Sequence, residues 1–393
     1  MRVLHLIDER SSQACGPTVA LLAESVGRIA AVEDRVLGLG GQYLRGVMDA
    51  VGLSGATVAG VPLGSAVAGF FSLRRALRGV GPVDLVHCWG LSSFTAATML
   101  MGDTPRLLTL TQAPPPRSVH WLRTVASLAA GPSVVLPISA TIRRAVLSGG
   151  VAEEAVHVLR PGLDLGRVTH GARAALRERW GLDPAANVRV VALLADPPTR
   201  LDAAWASLAV SLGFEPFDPR QNPRAPVLRL LVHPDQQGLA SAQHTLRLAG
   251  YDERFIIDDA LDRPWDVLPG CDAAVAMGDA AGGLSLLWAM AANVPIVGEA
   301  TYAVSEVVED RHSALLAKPD HLQQFAHRVT TIVEDTQLAW KLRDTARHEA
   351  YSLFSRQRYC QSLATVYEQV LDRRAVDVPA LPITGGLRFT GRA

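Results

Sequence analysis

A loop of small residues opens a predicted helix in the second half of the chain, within the stretch GDAAGGLSLL at 278–287. Gly282 and Gly283 end the loop, and Leu284 and Ser285 begin the helix. Backbone N–H groups at a helix N-terminus have no partner within the helix and carry partial positive charge, so they can bind a phosphate group. These four residues are therefore candidate phosphate-binding residues. The alternative is a buried strand–helix corner in which the glycines only permit close packing, because a glycine loop alone is weak evidence for a site.

The charge composition limits which partners the chain can have. Lys and Arg together number 38, Asp and Glu also number 38, and the formal net charge is therefore zero. A neutral chain gives no electrostatic reason to expect nucleic acid or an anionic membrane as a partner. Lys318 and Lys341 are the only lysines in the sequence. A cation that binds phosphate is therefore expected to be an arginine.

The cysteines are scattered through the chain, at positions 15, 88, 271 and 360. Their spacing matches neither a disulfide framework nor a zinc site, and it is typical of a protein of the reducing cytoplasm. The sequence therefore predicts a cytoplasmic protein without a metal. The run 50–73 lacks charged residues and is long enough to span a bilayer, but its glycines and Pro62 favour a strand, a loop and a helix start instead.

The elements that must position the glycine loop are short apolar strands that alternate with helices. Strands are predicted at 2–7, 36–39, 83–88, 107–110, 134–138, 156–159, 188–195, 227–232, 255–257, 273–277 and 295–298. They are apolar runs rather than alternating patterns, which is typical of parallel strands covered by helices on both faces. The sequence therefore predicts an α/β fold with two doubly wound domains, in which ligands bind at the carboxyl ends of strands.

The second half contains the motifs Cys271-Asp272-Ala273, Gly283-Leu284, Ala289-Met290-Ala291, Pro295-Ile296-Val297 and Glu306-Val307-Val308. These motifs and the order of the elements resemble the two-domain GT-B glycosyltransferases of family 4, also called glycosyltransferase group 1, and the resemblance covers residues 1–371. It implies two Rossmann-like domains that face a central cleft: an acceptor-side domain at 1–165 and a donor domain at 166–352. It also implies that a helix at 353–371 packs back on the first domain. Residues 372–393 have no periodicity, and we expect them to form a disordered tail.

The same resemblance implies a nucleotide-sugar donor and assigns further donor-binding residues. Gly16 stands where the family has a glycine pair near the donor diphosphate, and Arg200 stands at one of two cation positions for that diphosphate, while Ala195 takes the other. Glu306 matches a glutamate that follows the donor helix. In the family the sugar is transferred with retention, the leaving phosphate helps to deprotonate the acceptor, and neither a cofactor nor a metal is required. The resemblance does not determine whether the acceptor is a glycan, a lipid or a small molecule. It also does not determine whether the protein makes peripheral contact with a membrane.

The chain departs from the family at the residues that carry the chemistry. Two glutamates normally flank the donor loop and helix, and their places hold Ala280 and Trp288. Thr111 stands where many members have a histidine. Asp279 lies one position from the first glutamate place, and His87 matches a histidine that is common at the end of an earlier strand, so these two are the candidate catalytic residues. For His87, a buried histidine bonded to the backbone is the alternative.

These observations support two hypotheses. In the first, the chain is a retaining glycosyltransferase with a rearranged donor site. In the second, it is a catalytically inactive GT-B homologue that acts as a binding or scaffold protein, because the loss of several carboxylates at one site is difficult to reconcile with ordinary catalysis. The sequence does not determine the donor base, the sugar or the acceptor.

Overall fold

The structure is a computed structural model that describes residues 1–9, 16–60, 66–168, 170–196, 226–236, 238–248, 250–251, 254–278 and 283–378. The chain divides into two compact units. The first unit comprises Met1–Asp164 and the segment that begins at Phe354, and the second comprises Leu165–Leu353. Each unit has a sheet and a set of helices of its own.

The first unit is built around a parallel sheet. Its strands are β1 (Arg2–Asp8), β2 (Glu33–Leu39), β3 (Thr57–Ala59), β4 (Leu85–Cys88), β5 (Arg106–Leu110) and β6 (Ser133–Pro137). They lie in the order β3-β2-β1-β4-β5-β6, and neighbouring strands are parallel. The helices up to Asp164 are α1 (Gly16–Ser25), α2 (Gln42–Ala50), α3 (Ala66–Val80), α4 (Leu91–Leu100), α5 (Pro116–Leu128) and α6 (Ala140–Ser148). The strand order reverses between β1 and β4, and such a switch point is where doubly wound folds bind ligands.

The second unit repeats this arrangement. Its strands are β7 (Val188–Leu194), β8 (Val227–Val232), β9 (Phe255–Ile257), β10 (Ala273–Ala276), β11 (Ile296–Glu299) and β12 (Leu315–Ala317). They are parallel and lie in the order β12-β11-β10-β7-β8-β9. The helices are α7 (Arg173–Arg179), α8 (Leu239–Leu248), α9 (Pro264–Val267), α10 (Leu284–Ala291), α11 (Tyr302–Ser305), α12 (Leu322–Glu334) and α13 (Thr336–Leu353). Counted from its own first strand, the order is that of the first unit, and the switch point lies between β7 and β10.

Burial on both faces explains why the strands have continuous apolar sequences. In β7 (VRVVALL) every residue except Arg189 is buried, and in β10 (AAVA) every residue is buried. A sheet covered by helices on both sides has no solvent face, so the alternation of polar and apolar residues is lost. Val191, Leu193 and Val275 join Phe325 of α12 in one buried cluster. The predicted α/β fold with two doubly wound units is confirmed.

The last helix, α14 (Arg356–Leu371), belongs to the first unit although it follows the second unit in sequence. Its Leu363, Val366 and Tyr367 are buried, and the helix packs on α1. Just before it, the Leu163 amide donates a hydrogen bond of 2.9 Å to the Phe354 carbonyl. The C-terminal helix is therefore an integral part of the core of the first unit.

Two stretches of the sequence have an unusual composition. Of the expected tail at 372–393, residues 372–378 are described and form neither helix nor strand, and the rest lies outside the described residues. In the uncharged run at 50–73, the structure has β3 and the beginning of α3. None of the helices in the described part of the chain has both the length and the apolar sequence that a bilayer span requires.

Candidate functional site

A carboxylate caps the helix start that the sequence identifies as a phosphate site. Helix α10 begins at Leu284, with Gly283 as its N-cap residue. The Asp196 carboxylate accepts hydrogen bonds from the Ser285 amide (3.0 Å) and from Ser285 Oγ (2.6 Å). Asp196 follows shortly after β7 and is 4% exposed. The Ser285 amide, which the sequence predicts to be open to a ligand, therefore already donates a hydrogen bond to a side chain of the same unit.

Close packing accounts for the glycine at position 283. A Cβ atom on Gly283 would lie 2.9 Å from Asp196 Cγ and closer still to Oδ2. No larger residue therefore fits unless the carboxylate moves. The structure thus shows the close packing that one interpretation of the glycine loop expects, and phosphate binding at this helix N-terminus stays a prediction.

The charge at this helix start depends on pH. Burial raises the pKa of the Asp196 carboxyl to about 6, while hydrogen bonds from Ser285 and from the Leu284 amide lower it. The carboxyl is therefore mainly ionised above this value and mainly protonated below it. In the ionised form it repels a second anion at the same amides.

Two further buried carboxylates lie at the carboxyl edge of the same sheet. Glu299, the last residue of β11, accepts hydrogen bonds from the amides of Gly278 (2.7 Å) and Asp320 (3.0 Å). It therefore links the loops that follow β10 and β12. Glu306, which the resemblance assigns to the donor, is 5% exposed and directly follows α11. Sequence reasoning missed Glu299 and Asp196, although each terminates an apolar strand at the edge where sites are expected.

Trp288 is part of the core of the second unit. Its side chain is fully buried, and its ring centroid lies 5.0 Å from that of Trp265. The indole Nε1 is buried without a hydrogen-bond partner among the described residues. Every residue of α10 is buried, as its sequence LSLLWAMA, apolar on nearly all sides, predicts. The indole therefore does not take over the role of a carboxylate that binds a ligand.

The first unit contains a corresponding capped helix start. Asp8 ends β1, and its carboxylate accepts a hydrogen bond of 3.2 Å from the Ser93 amide in the first turn of α4. Gly90 is the N-cap residue of α4, so Gly90-Leu91-Ser92 and Gly283-Leu284-Ser285 occupy corresponding places. In both units, an aspartate at the end of the first strand or just after it accepts a hydrogen bond from an amide in the first turn of the helix that follows the fourth strand. The repeated Gly-Leu-Ser motif is the sequence signal from which this cap could be predicted.

His87 is a buried residue whose two ring nitrogens both have partners. Nδ1 lies 2.7 Å from the hydroxyl of Tyr367 on α14, and Nε2 lies 2.7 Å from Oγ1 of Thr109. The ring stacks on Trp89 at a centroid distance of 4.5 Å. Burial, and to a smaller extent the nearby His5, hold the pKa of His87 well below its usual range, so the ring is neutral. This environment favours a structural role for His87 over a catalytic one.

The remaining candidates are only partly covered by the structure. Outside the described residues lie Arg200, Asp279, Ala280 and Gly282. Gly16 is the first residue of α1. In the first turn of the same helix, Thr18 Oγ1 lies 2.7 Å from Oγ1 of Thr111, in a buried contact. No group of His, Cys, Asp and Glu side chains in the described part of the chain could hold a metal ion.

Known proteins resemble this chain in a sequence segment and in the whole fold. Residues 241–349 match the family described as Glycosyl transferases group 1. The structure of HepE from Anabaena, in complex with UDP and glucose, superimposes with a TM-score of 0.73 at 15% identity, over 94% of this chain and 100% of that one. The resemblance to the group 1 glycosyltransferases is confirmed. Sucrose-phosphate synthase from Thermosynechococcus elongatus gives a TM-score of 0.68 at 14% identity, over 95% of this chain and 100% of that one. No curated protein sequence matches the chain significantly.

The segment that matches the group 1 glycosyltransferases contains the central part of the site. Helix α10, its N-cap Gly283, Trp288 and Glu306 all lie within residues 241–349. Asp196 lies before this segment and reaches it across the switch point between β7 and β10. The site therefore combines a helix start inside the matching segment with a carboxylate from outside it.

Proposed function

We propose that this chain transfers a sugar from a nucleoside-diphosphate donor to an acceptor, with retention of configuration at the anomeric carbon. The observation that carries the proposal is the N-terminus of α10 at the switch point of the second sheet, within the segment that matches Glycosyl transferases group 1. Solved structures of HepE contain UDP with glucose, and UDP-glucose, so a uridine nucleotide is the first donor to test. The acceptor, a glycan, a lipid or a small molecule, supplies a hydroxyl group.

The proposed reaction assigns charge stabilisation to backbone groups. The bond between the anomeric carbon and the donor diphosphate breaks while the acceptor oxygen bonds to the same face of the sugar. The acceptor proton passes to an oxygen of the leaving diphosphate. The amides of Gly283, Leu284 and Ser285 and the positive end of α10 stabilise the charge on that diphosphate, and Arg200 adds a cation. Neither a cofactor nor a metal is given a role in this scheme.

Asp196 has to release the Ser285 amide before that amide can bind a diphosphate. Its carboxylate is held by hydrogen bonds from the Ser285 amide and hydroxyl, and two anions at one helix N-terminus repel each other. Protonation of Asp196 or a rotation of its side chain removes the competition. The proposal therefore includes displacement or neutralisation of Asp196 as a step of donor binding.

A catalytically inactive binding or scaffold protein is the second candidate, and two observations favour it. Trp288 stands in place of a family carboxylate and is fully buried. Asp196 already satisfies the helix start. A protein with these features would keep the fold after the chemistry was lost.

Nucleotide binding and turnover distinguish the two candidates. Calorimetric titration with UDP, GDP and ADP comes first, followed by assays of diphosphate release from the matching sugar nucleotides with a panel of acceptors. We expect one diphosphate to bind and its sugar nucleotide to be turned over. Binding without turnover across all donors and acceptors would favour the inactive protein.

A matched pair of variants tests where the nucleotide binds. Leu284→Pro and Leu284→Ala both remove the buried leucine side chain, but only proline also removes the first helical N–H, at a position where proline is tolerated. We expect Leu284→Pro to bind the nucleotide about tenfold more weakly than Leu284→Ala, since a charge-assisted hydrogen bond is lost. Equal affinities would show that the diphosphate does not bind at the α10 N-terminus.

A further inference from the structure

A cavity of about 700 Å³ lies at the amino edge of the second sheet, away from Asp196. Its strand side is formed by Arg189 of β7, by Asp272 just before β10 and by Pro295 just before β11. Its helix side is formed by the end of α12 and the beginning of α13. A volume of this size accommodates a small organic molecule. The proposed sugar transfer makes no use of this cavity.

The unpaired charge of the cavity is positive. Within the part of the chain that the structure describes, the guanidinium groups of Arg189 and Arg343 have no hydrogen-bond or ion-pair partner. Nε of Arg343 is buried in addition, and a buried donor without a partner is costly. The carboxylate of Asp272 is already bound by Arg173 (2.5 Å) and Arg177 (3.0 Å). Two guanidinium groups are therefore available to an anion.

The other wall of the cavity is apolar and includes an exposed aromatic ring. Trp340 is 59% exposed although it is one of the largest side chains of the unit. Ile332 and Val333 are 3% and 8% exposed and form an apolar wall with it. An exposed indole face favours contact with a second planar ring, and an apolar wall favours a ligand that has apolar surface.

We propose that this cavity binds an aromatic organic anion, with its ring against Trp340 and its anionic group on the guanidinium groups of Arg189 and Arg343. A phosphate or a carboxylate matches the planar fork of an arginine. A small molecule accounts for the cavity better than a macromolecule does, because a volume of about 700 Å³ lies in the range of small-molecule sites. This binding site is separate from the switch point, and it does not depend on whether the chain is a glycosyltransferase.

The test uses the full chain and 1-naphthyl phosphate as the probe, titrated by calorimetry. Inorganic phosphate supplies the charge without the ring, and 1-naphthol supplies the ring without the charge. We expect 1-naphthyl phosphate to bind more tightly than either. We also expect Trp340→Ala and Arg343→Gln each to weaken its binding about tenfold. Arg247→Gln, at an exposed arginine of α8, is the matched control and should leave the affinity unchanged.

Thermal melts of the same variants test whether misfolding causes the loss of binding. Because Trp340 and Arg343 are not fully buried, we expect both variants to melt as the unmodified chain does. Unchanged affinity for 1-naphthyl phosphate in both cavity variants would overturn the proposal. The same conclusion would follow if the unmodified chain did not bind the probe, or if inorganic phosphate bound equally tightly. UDP affinity should be the same in Trp340→Ala and in the unmodified chain, since the switch point lies at the opposite edge of the sheet.

Discussion

The Asp196 carboxylate accepts hydrogen bonds at the α10 helix start, where the proposed diphosphate would bind. We predict that Asp196→Asn raises the affinity for UDP about tenfold at pH 7.5, because the substitution removes a negative charge and keeps a side-chain oxygen that can accept from Ser285. Calorimetry on both proteins measures the effect. Asp335→Asn is the control, since Asp335 caps α13 through the Leu338 amide (2.9 Å) and should leave UDP binding unchanged. A lower or equal UDP affinity of Asp196→Asn would mean that the carboxylate does not compete with the nucleotide.

The same carboxyl group makes stability depend on pH. The native pKa of Asp196, about 6, lies above the usual value of 3.8 for an aspartate side chain in water. The native state therefore holds a proton that the unfolded state releases, and the stability from this proton is lost as pH rises through the native pKa. Relative to Asp196→Asn, we expect the unmodified chain to lose about 1.4 kcal/mol of unfolding free energy between about pH 5 and pH 8. Urea denaturation of both proteins at the two pH values measures this difference, and an equal change in both would contradict the assignment.

At the scale of the helix, the α10 start depends on the absence of a side chain at position 283. We predict that Gly283→Ala destabilises the chain by about 2–4 kcal/mol, because the added Cβ displaces the Asp196 carboxylate. Gly46→Ala is the matched control, since Gly46 lies within α2 with no atom within 4 Å of the added Cβ. Alanine there should stabilise the helix by about 0.5–1 kcal/mol. Denaturant unfolding of both variants checks the two opposite signs, and two effects of the same sign would contradict the prediction.

The sequence predicts the local features of α10 but not its contacts with residues that are distant in the chain. Helix α10, predicted to begin at Leu284, does begin there, because the apolar run and the glycine before it are local signals. Its cap was missed because Asp196 lies 89 residues before Ser285, and only strand pairing of β7 with β10 brings the two together. The sequence places Trp288 where a carboxylate was expected, but its surroundings depend on packing against Trp265 of α9.

At the scale of the molecule, the order of elements predicts the fold because each doubly wound unit follows a local rule. Apolar strands that alternate with helices produce parallel sheets with right-handed crossovers. The two units have the same strand order and the same capped helix after the fourth strand. The sequence could not predict which residues of α14 enter the first unit, because this contact joins parts of the chain that are far apart.

The pair formed by His87 and Tyr367 provides a test of that long-range contact. It spans 280 residues, with the tyrosine hydroxyl 2.7 Å from Nδ1 of His87 in a fully buried environment. Tyr367→Phe removes the hydroxyl and leaves a buried ring nitrogen without its partner, so we expect a loss of about 1–3 kcal/mol in unfolding free energy. Tyr351→Phe is the control, because Tyr351 is 42% exposed and its hydroxyl makes only a long contact of 3.4 Å to the Leu165 carbonyl.

Hydrogen exchange locates the effect of Tyr367→Phe within the molecule. Because α14 and His87 both belong to the first unit, we expect faster amide exchange in β1, β4 and β5 of this variant. Exchange in β7, β10 and β11 should stay as it is in the unmodified chain, since those strands have a separate core. Exchange that increased equally in both sheets would instead show that the two units unfold as one cooperative body. A change confined to the first unit would establish that the C-terminal helix stabilises the sheet at the beginning of the chain.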